Sequence, residues 1–404
     1  MIVDIAPSKA QGEVKAPPSK SMAHRMLICA GLARGESIIQ NIELSEDIKA
    51  TLDCLGALGV DWQYLNNSIY MRGINIRRAK PVKKLYCRES GSTLRFFVPI
   101  ALISGRRITL KGAESLMARP MGVYADLARK KGFTFEQSEE EVVVEGPLPA
   151  GTYTVSGHIS SQFISGMLFA LPLLYKNSML EIREPIESLS YIEMTIEALA
   201  NFGIRLEKLE DNLFFIGGGQ NYMGKNTKVE GDYSNAAFLD AFTLVGGNVE
   251  VTGLNPISKQ GDKVYRTHFD AIRTGRPTIS LQDCPDLGPI LFAMAAHFQG
   301  ATFTETRRLA MKESNRVTAM AQELRKMGVE CEIHDNHVVV PGGQMRAATE
   351  AYDGHNDHRI VMACAVLASI YGGRIEGAEA VAKSFPTFFK TIEDLGIEVS
   401  THGV

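Results

Sequence analysis

Basic side chains recur in this sequence where short polar clusters precede long apolar segments. Lys20 and Arg25 flank the first of these clusters, and Arg359 lies in the last. Lys312 and Arg316 are four residues apart, a spacing that predicts one shared helix face. Several fixed cations suit a ligand with two or more phosphate or carboxylate groups. The pattern therefore predicts a binding site for a small polyanion.

Two carboxylates accompany these cations. Asp286 directly precedes the fifth apolar segment, and Glu313 is adjacent to Lys312. Together with Lys20 they would supply the acid and base that proton transfer to and from a substrate requires. The structural alternative, in which Asp286 caps a helix and Glu313 is an ordinary helix-terminal acid, stays open.

Two further clusters are rich in small or polar residues. Ser160-Ser161-Gln162 offers two hydroxyls and an amide, which is more than a helix cap needs. Residues 89–93 contain Ser90 and Gly91, which are small enough to let backbone N–H groups approach a ligand. For Ser234 and Asp357, helix capping and ligand binding are equally good interpretations.

Several familiar kinds of site are missing from the sequence. It contains no CxxC, no GxGxxG and no Walker sequence, and nothing resembles a Ser-His-Asp triad. Because the possible metal ligands are dispersed, no metal and no cofactor are predicted. Three histidines are candidate ligand donors, with a core or capping role as the alternative: His24, His158 and His358.

The polar clusters open a repeated unit. An apolar helix follows each cluster, then a glycine turn, a short alternating strand and an amphipathic helix. The markers of the six units are Ser21, Gly91, Ser161, Ser234, Asp286 and Asp357. Their spacings are 70, 70, 73, 52 and 71 residues, so the fourth unit is the short one. A period of this length indicates a mixed α/β module of several elements.

The repeat predicts the architecture. First helices such as Val361–Leu367 are apolar on most sides and should be buried, whereas second helices such as Val317–Lys326 carry charge on one face. A boundary near Glu230-Gly231-Asp232 divides the units into three and three. Helix N-termini attract anions, so helices that run parallel in each domain would gather the polar clusters on one face.

The composition is that of an ordinary globular protein. Of 404 residues, 45% are hydrophobic and 22% are charged, and the net charge is −3. This balance excludes a disordered chain and disfavours a nucleic-acid binder. No segment reaches the roughly 18 to 20 apolar residues of a membrane span, and Met1–Asp4 does not open a signal peptide. Six scattered cysteines predict free thiols in a cytoplasmic protein.

An ordered set of motifs covers the whole chain. It consists of Pro18-Ser19-Lys20-Ser21 with Arg25, Arg119-Pro120, Ser160-Ser161-Gln162, Glu230-Gly231-Asp232, Lys312-Glu313 with Arg316, Asn356-Asp357-His358-Arg359, and Ala382-Lys383 with Phe385-Pro386. In this order the motifs resemble those of the 5-enolpyruvylshikimate-3-phosphate (EPSP) synthase family of enolpyruvyl transferases. Singly, only the fifth and sixth motifs are specific.

The resemblance implies a fold and an activity. The fold is an inside-out α/β barrel of two similar domains, each with three βαβαββ units, buried parallel helices and outer sheets. The implied domains are residues 19–230 and residues 1–18 with 231–404, and the active site lies in the cleft between them. The activity is transfer of the enolpyruvyl group of phosphoenolpyruvate to the 5-hydroxyl of shikimate 3-phosphate, with release of phosphate. A monomeric cytoplasmic enzyme is implied, without metal, cofactor, nucleic acid or membrane as partner.

The resemblance also implies residue roles. Those implied for proton transfer are Lys20, Asp286 and Glu313. Those implied for binding shikimate 3-phosphate are Lys20, Ser21, Arg25, Ser160, Ser161, Gln162, Ser188, Tyr191, Asp286 and Lys312. Those implied for binding phosphoenolpyruvate are Lys20, Gly91, Arg119, Gln162, Arg316, His358, Arg359 and Lys383.

Three positions depart from the common family pattern. Glu89 replaces an asparagine next to the phosphoenolpyruvate-binding segment, Arg308 replaces another asparagine, and Leu189 replaces an arginine after Ser188. The first exchange alters the charge near Gly91. The other two alter the groups available to hold shikimate 3-phosphate.

Two other functions are alternatives. UDP-N-acetylglucosamine enolpyruvyl transferases share the fold and the donor, but they usually carry a cysteine where this chain has Glu114, and they lack the Ser-Lys-Ser start. A non-catalytic, anion-binding repeat scaffold is the second alternative. It gives no reason for Lys20, Asp286 and Glu313 to occur together at the starts of repeats.

Overall fold

The computed structural model describes residues 1–79 and 83–403. The strands in these ranges are β1 (Ile2–Ile5), β2 (Gln11–Lys15), β3 (Ala33–Arg34), β4 (Glu36–Gln40), β5 (Asp61–Leu65), β6 (Ser68–Arg72), β7 (Lys84–Tyr86), β8 (Arg107–Lys111), β9 (Thr134–Gln137), β10 (Glu141–Glu145), β11 (Thr152–Ser156), β12 (Ser178–Arg183), β13 (Glu207–Glu210), β14 (Leu213–Ile216), β15 (Tyr222–Met223), β16 (Asn226–Lys228), β17 (Asn248–Thr252), β18 (Thr278–Ser280), β19 (Gly300–Thr304), β20 (Glu332–Ile333), β21 (His337–Pro341), β22 (Tyr352–Asp353), β23 (Gly373–Glu376) and β24 (Val399–His402).

The α-helices in the same ranges are α1 (Lys20–Gly31), α2 (Glu46–Ala57), α3 (Gly91–Ile103), α4 (Glu114–Met117), α5 (Gly122–Lys131), α6 (Ser161–Ala170), α7 (Leu189–Asn201), α8 (Tyr233–Leu244), α9 (Tyr265–Thr274), α10 (Gly288–His297), α11 (Arg316–Lys326), α12 (His358–Tyr371) and α13 (Phe388–Asp394). Short 3-10 helices at Leu171–Leu173, Gly261–Val264, Pro285–Leu287, Arg307–Met311 and Ala378–Lys383 complete the helical elements that the structure describes.

The chain divides into two compact units. Unit A is Pro18–Glu230, and unit B combines Met1–Pro17 with Gly231–Val404. Each unit has its own hydrophobic core. Unit A is continuous in sequence, whereas unit B needs both ends of the chain.

The four-stranded sheets in the described part of unit A share one strand order. They run β7-β8-β10-β9, β11-β12-β14-β13 and β16-β4-β6-β5. In each, the first two strands are parallel and the other neighbours are antiparallel. Parallel strands need a crossover connection, and α3 and α6 provide it between β7 and β8 and between β11 and β12.

Unit B repeats this order in the sheets β18-β19-β21-β20 and β22-β23-β1-β24. The short fourth repeat keeps only a parallel pair, β2 with β17, and α9 leads directly to β18. The truncation accounts for the spacing of 52 residues between Ser234 and Asp286. The predicted α/β class and βαβαββ unit are confirmed.

The first helix of each repeat is buried, as its all-round apolar sequence predicts. In α12, every residue from His358 to Ser369 is buried. Side chains satisfy the N–H groups at most of these helix starts. The capping residues are Ser19 for α1, Ser90 for α3, Ser160 for α6, Asp232 for α8 and Asp357 for α12.

Three further features characterise residues 1–79 and 83–403. No helix there is long and apolar enough to cross a membrane. No group of three or more His, Cys, Asp or Glu side chains there is placed to hold a metal ion. All six cysteines lie in these ranges and are free thiols.

Candidate functional site

The candidate residues of unit A occupy the starts of its helices. Lys20 is the first residue of α1, and its Nζ donates to Asp47 Oδ2 of α2 at 2.8 Å. Both side chains are largely buried. The hydrogen bond fixes the ammonium group of Lys20 at the helix start.

Arg25 is a buried cation one turn further along α1. Its Nε donates to Thr195 Oγ1 at 2.8 Å, and its Nη1 and Nη2 donate to the carbonyls of Ser21 and Tyr191 at 2.6 and 3.1 Å. All three acceptors are neutral, and burial lowers the pKa of Arg25 to about 10. A buried guanidinium with neutral partners favours the approach of an anion.

Gly91 brings an arginine and an amide together at the start of α3. A Cβ at this position would lie 2.7 Å from Arg119 Nη1 and 3.7 Å from Gln162 Oε1. The absence of a side chain therefore lets both groups approach the helix start. The Nε of Arg119 is buried and has no hydrogen-bond partner among the described residues.

The Ser160-Ser161-Gln162 cluster adjoins this group at the start of α6. The side chain of Ser160 caps the helix by accepting from the Gln162 N–H at 3.3 Å. The Oε1 of Gln162 accepts from Arg95 Nη1 at 2.7 Å, and its Nε2 donates to Ser92 Oγ at 2.9 Å. The amide is thereby held between α3 and α6, which pack against each other.

Ser188 and Tyr191 belong to the second helix of the same repeat. Ser188 is buried, precedes α7 and has a φ of 56°, a left-handed conformation that is uncommon for serine. The ring of Tyr191 lies 5.8 Å from the Arg25 guanidinium carbon. Tyr191 therefore adjoins the buried cation of α1.

The histidine candidates have different environments. His24 is fully buried, its Nδ1 is 2.7 Å from Thr51 Oγ1, and burial holds its pKa well below the usual range. A chain of hydroxyls continues through Thr93 to Ser90, the cap of α3. His24 is thus a neutral core residue, whereas His158 is exposed beside Ser156.

Arg316 connects the carboxylates of unit B. It is 1% exposed, and its Nη1 donates to Asp286 Oδ1 at 2.7 Å. Its Nη2 donates to Glu313 Oε2 at 2.7 Å, and its Nε donates to Asp357 Oδ2 at 2.8 Å. One guanidinium therefore places the two predicted proton-transfer acids side by side.

Two interpretations of the sequence were wrong in this region. Lys312 and Arg316 do not share a helix face, because α11 begins at Arg316 and Lys312 directly follows the preceding 3-10 helix. The two cations converge on Asp286 instead, which Lys312 Nζ approaches to 3.1 Å. Burial lowers the pKa of Lys312, against the opposing effect of Asp286. Asp286 is no helix cap either, since α10 has no side-chain cap.

Arg359 is held on one side only. Its Nη2 lies 3.5 Å from Asp286 Oδ2, and its guanidinium carbon lies 5.9 Å from the Phe238 ring. Its Nε and Nη1 are buried without a hydrogen-bond partner among the residues that the structure describes. A buried cation with unused donors is well suited to bind an anionic ligand.

His358 and Lys383 complete the predicted set in unit B. His358 follows the α12 cap and is buried, with its Nδ1 3.8 Å from Asp357 Oδ1. Lys383 ends the last 3-10 helix, and its Nζ donates to the Asn356 carbonyl at 2.7 Å. Both therefore lie beside the residues that precede α12.

Sequence reasoning missed Asp47 and Asp262. Asp47 contacts Lys20 from a second helix, and nothing in the local sequence indicates that pairing. Asp232, and not Ser234, caps α8, and the hydroxyl of Ser234 contacts Asp262 instead. Asp262 precedes an amphipathic helix, so it lacks the apolar segment that marks the other clusters.

Comparison with solved structures identifies the class of the fold. The chain matches an EPSP synthase from Acinetobacter baumannii with a TM-score of 0.77 and 25% identity, over 99% of this chain and 100% of that one. A second Acinetobacter baumannii EPSP synthase structure also has a TM-score of 0.77, at 23% identity, and supports the fold alone.

Sequence comparison gives the family. The model for EPSP synthase (3-phosphoshikimate 1-carboxyvinyltransferase) matches residues 5–392. A 3-phosphoshikimate 1-carboxyvinyltransferase from Clostridium kluyveri is 37% identical over 425 residues, covering 100% of this chain and 99% of that protein. The Clostridium acetobutylicum protein of the same name is 37% identical over 426 residues, with 98% of each covered. The chain belongs to the EPSP synthase family.

Proposed function

We propose that this protein transfers the enolpyruvyl group of phosphoenolpyruvate to the 5-hydroxyl of shikimate 3-phosphate and releases phosphate. The observation that carries the proposal is the family match over residues 5–392. The transfer is an enolpyruvyl transfer of the shikimate pathway, which leads to chorismate and the aromatic amino acids. The enzyme is a transferase with two small anionic substrates.

Unit A supplies most of the groups that we assign to shikimate 3-phosphate. Arg25 would attract its anionic groups, because its present partners are neutral carbonyl and hydroxyl oxygens. Ser160 and Ser161 would bind the phosphate, since a helix start combines hydroxyls with unpaired N–H groups. The remaining assignments are Lys20, Ser21, Gln162, Ser188 and Tyr191 in unit A, and Asp286 and Lys312 in unit B.

Phosphoenolpyruvate carries a phosphate and a carboxylate and needs several cations. We assign it to Arg119 and Arg359, whose buried nitrogens have unused donors. Gly91 would let the ligand approach the start of α3. Arg316 already gives four of its five N–H groups to carboxylates, so one hydrogen on Nη1 is left for a ligand. The other assigned residues are Lys20, Gln162, His358 and Lys383.

Proton transfer is assigned to Lys20, Asp286 and Glu313. The reaction must protonate C3 of phosphoenolpyruvate while the 5-hydroxyl loses its proton and attacks C2. The C–O bond so formed gives a tetrahedral intermediate. Loss of a proton from C3 then expels phosphate and restores the double bond. Arg316 would keep Asp286 and Glu313 close to the same reacting carbon atoms.

The buried cations support catalysis by fixed charges. Several positioned cations stabilise charge that develops on the substrate oxygens, and buried cations do so more strongly than exposed ones. The proposed groups come from both units, so both are needed for one reaction. We propose a monomeric cytoplasmic enzyme, in keeping with its free thiols.

Phosphate release tests the function directly. Purified protein is mixed with phosphoenolpyruvate and shikimate 3-phosphate, and a parallel reaction contains UDP-N-acetylglucosamine as acceptor. We expect release only with shikimate 3-phosphate, and a product whose mass equals that of the acceptor plus the enolpyruvyl group. Release only with the sugar nucleotide would refute shikimate 3-phosphate as the acceptor. Release with neither acceptor would refute the enolpyruvyl transfer activity. An Asp286→Asn variant controls for contaminating phosphatase.

A further inference from the structure

Asp262 is a buried carboxyl group whose position no role above explains. It lies in the 3-10 helix Gly261–Val264 and is 3% exposed. Its Oδ2 contacts the hydroxyl of Ser234, and its Oδ1 has no hydrogen-bond partner among the described residues. An ionised carboxylate in such a place would lose its hydration and gain one hydroxyl contact in return, which favours the neutral form.

Titratable groups from three other elements interact electrostatically with Asp262. They are Asp232 at the start of α8, Asp286 and the Cys284 thiol near the 3-10 helix Pro285–Leu287, and Arg359 of α12. Burial raises the pKa of Asp262 to about 7, and the charge of Asp286 is the second-largest cause of this increase. Arg359 and the Ser234 hydroxyl act in the opposite direction. Its titration therefore falls in the physiological range.

The protonation state of Asp262 determines how much negative charge acts on Arg359. Arg359 has a 3.5 Å contact with Asp286, and two of its buried nitrogens have no hydrogen-bond partner in the described part of the chain. When Asp262 is neutral, the cation is only partly compensated and attracts an anionic substrate. When Asp262 is ionised, a further negative charge opposes that substrate within the same buried region.

We propose that Asp262 is a positioning residue that, in its neutral form, leaves the charge of Arg359 available to phosphoenolpyruvate. Asp262 acts through Arg359 and does not itself touch the substrate. The proposal rests on the proposed function, because it takes Arg359 as a ligand of phosphoenolpyruvate. The consequence is a loss of donor affinity as the pH rises through neutrality.

The kinetic test compares Asp262→Asn with the wild type between pH 5.5 and 9. Asparagine keeps the shape of the side chain and stays neutral. We expect the ratio of kcat/KM for phosphoenolpyruvate, variant over wild type, to rise by about 5- to 30-fold across this range. Removing one nearby unit charge in a region with an effective dielectric constant of about 20 gives a change of this order. The change should lie in KM rather than in kcat.

In this ratio of kcat/KM values the effect of substrate ionisation cancels, because it is the same for both proteins. A ratio that does not change with pH, or that falls as pH rises, would overturn the proposal. Asp270→Asn is the matched control, because Asp270 is an exposed acid of unit B paired with Arg273. Its ratio to the wild type should stay constant. Ser234→Ala removes a contact that lowers the pKa of Asp262, so it should move the loss of affinity to higher pH.

A second measurement does not depend on the reaction. Below the unfolded pKa of about 4, Asp262 is protonated in both the folded and the unfolded state, whereas between that value and the folded pKa of about 7 it is protonated only in the folded state. The stability of the wild type therefore falls as pH rises through this window. The unfolding constant of the wild type, relative to that of Asp262→Asn, should therefore rise by up to tenfold per pH unit over that window. Above the window the ratio should stay constant. Denaturant unfolding at pH 5, 6, 7 and 8 measures this. A stability difference between variant and wild type that is independent of pH would refute the titration of Asp262, even if the enzyme proves inactive. The expected pH-dependent difference, found in a protein that releases no phosphate, would refute only the proposed function.

Discussion

The guanidinium of Arg316 determines the geometry of the proposed proton-transfer acids. It holds Asp286, Glu313 and Asp357 within 2.7 to 2.8 Å of its nitrogens. Three carboxylates would repel one another without this cation, and Lys312 and Arg359 add further positive charge at Asp286. The two acids are therefore held by the same side chain.

Lys20 and Glu313 should be needed for turnover but not for folding. Replacing a positioned acid or base typically costs 10² to 10⁴ in rate. We expect Lys20→Met and Glu313→Gln each to lower kcat about 100-fold or more in the phosphate-release assay at saturating substrates. Circular dichroism and thermal unfolding should show that both variants are folded. Turnover near that of the wild type in both variants would contradict the assignment.

The helix α2 contributes acids to two neighbouring segments of unit A. Asp47 binds Lys20, whereas Glu46 and Asp53 bind Arg88 at 2.5 and 2.9 Å. Arg88 has a φ of 50° and precedes the start of α3 by three residues. One helix thus orients both the ammonium group at α1 and the chain that leads to Gly91.

Asp47→Asn tests the positioning role of α2. The variant keeps a hydrogen-bond acceptor for Lys20 but removes its countercharge, and small displacements of a catalytic group are costly. We expect kcat to fall about 10-fold, with little change in unfolding temperature. Asp53→Asn is the matched control, because it alters the contact with Arg88 and leaves Lys20 paired. An equal loss of kcat in both variants would show that the effect is not specific to Lys20.

The segment before α12 is held by a second helix, α11. Glu323 of α11 is buried and accepts from His355 Nε2 and Lys326 Nζ at 2.8 Å each and from the Asp353 N–H at 3.0 Å. His355 and Asn356 both have positive φ values, 48° and 49°. These contacts position the chain that carries Asp357, His358 and Arg359.

His355→Gln should weaken unit B in a pH-dependent way. The hydrogen bond from His355 to Glu323 is the largest cause that raises the pKa of His355 above 6.5. The protonated form therefore stabilises the folded state fully below that value, and the contribution is lost as pH rises through the folded pKa. Denaturant unfolding at pH 5.5 and 8.5 should show a larger loss for the variant at the lower pH. A loss that is greater at pH 8.5 would contradict the assignment.

The sequence predicts these elements unevenly. The buried helices and their caps follow from apolar runs after Ser19, Ser90, Ser160 and Asp357, because both signals are local. The sequence placed α11 within one residue of its observed start, but the spacing of Lys312 and Arg316 wrongly put Lys312 on the same helix, because spacing alone does not reveal the preceding 3-10 helix. The contacts Lys20–Asp47 and Ser234–Asp262 join residues 27 and 28 positions apart, and no pattern in the sequence specifies them.

The sequence predicts the repeat, but it does not predict which distant strands complete each sheet. The markers near every 70 residues predict similar units, and each complete unit forms a sheet with the same strand order. The sheets β16-β4-β6-β5 and β22-β23-β1-β24 each combine strands from distant parts of the chain. Pairings of this kind, such as Ile38 with Asn226 and Val3 with Ile375, depend on tertiary packing.

This connectivity predicts different behaviour for the two units when they are separated. Unit A is continuous and has its own core, so a fragment of residues 18–230 should fold alone. It retains Arg25, Ser160 and Ser161 and should bind shikimate 3-phosphate, measured by calorimetry. It lacks Asp286 and Glu313 and should release no phosphate with phosphoenolpyruvate.

A fragment that begins at Gly231 should behave differently. It lacks β1, an inner strand of the sheet β22-β23-β1-β24, and β2, the partner of β17. Without β1 the strands β23 and β24 lose their common neighbour, and the side chains of Val3 and Ile5 leave the core. We expect this fragment to be unfolded by circular dichroism and to recover structure only when residues 1–17 are fused back. A folded fragment without those residues, or an unfolded fragment of residues 18–230, would contradict the division into units.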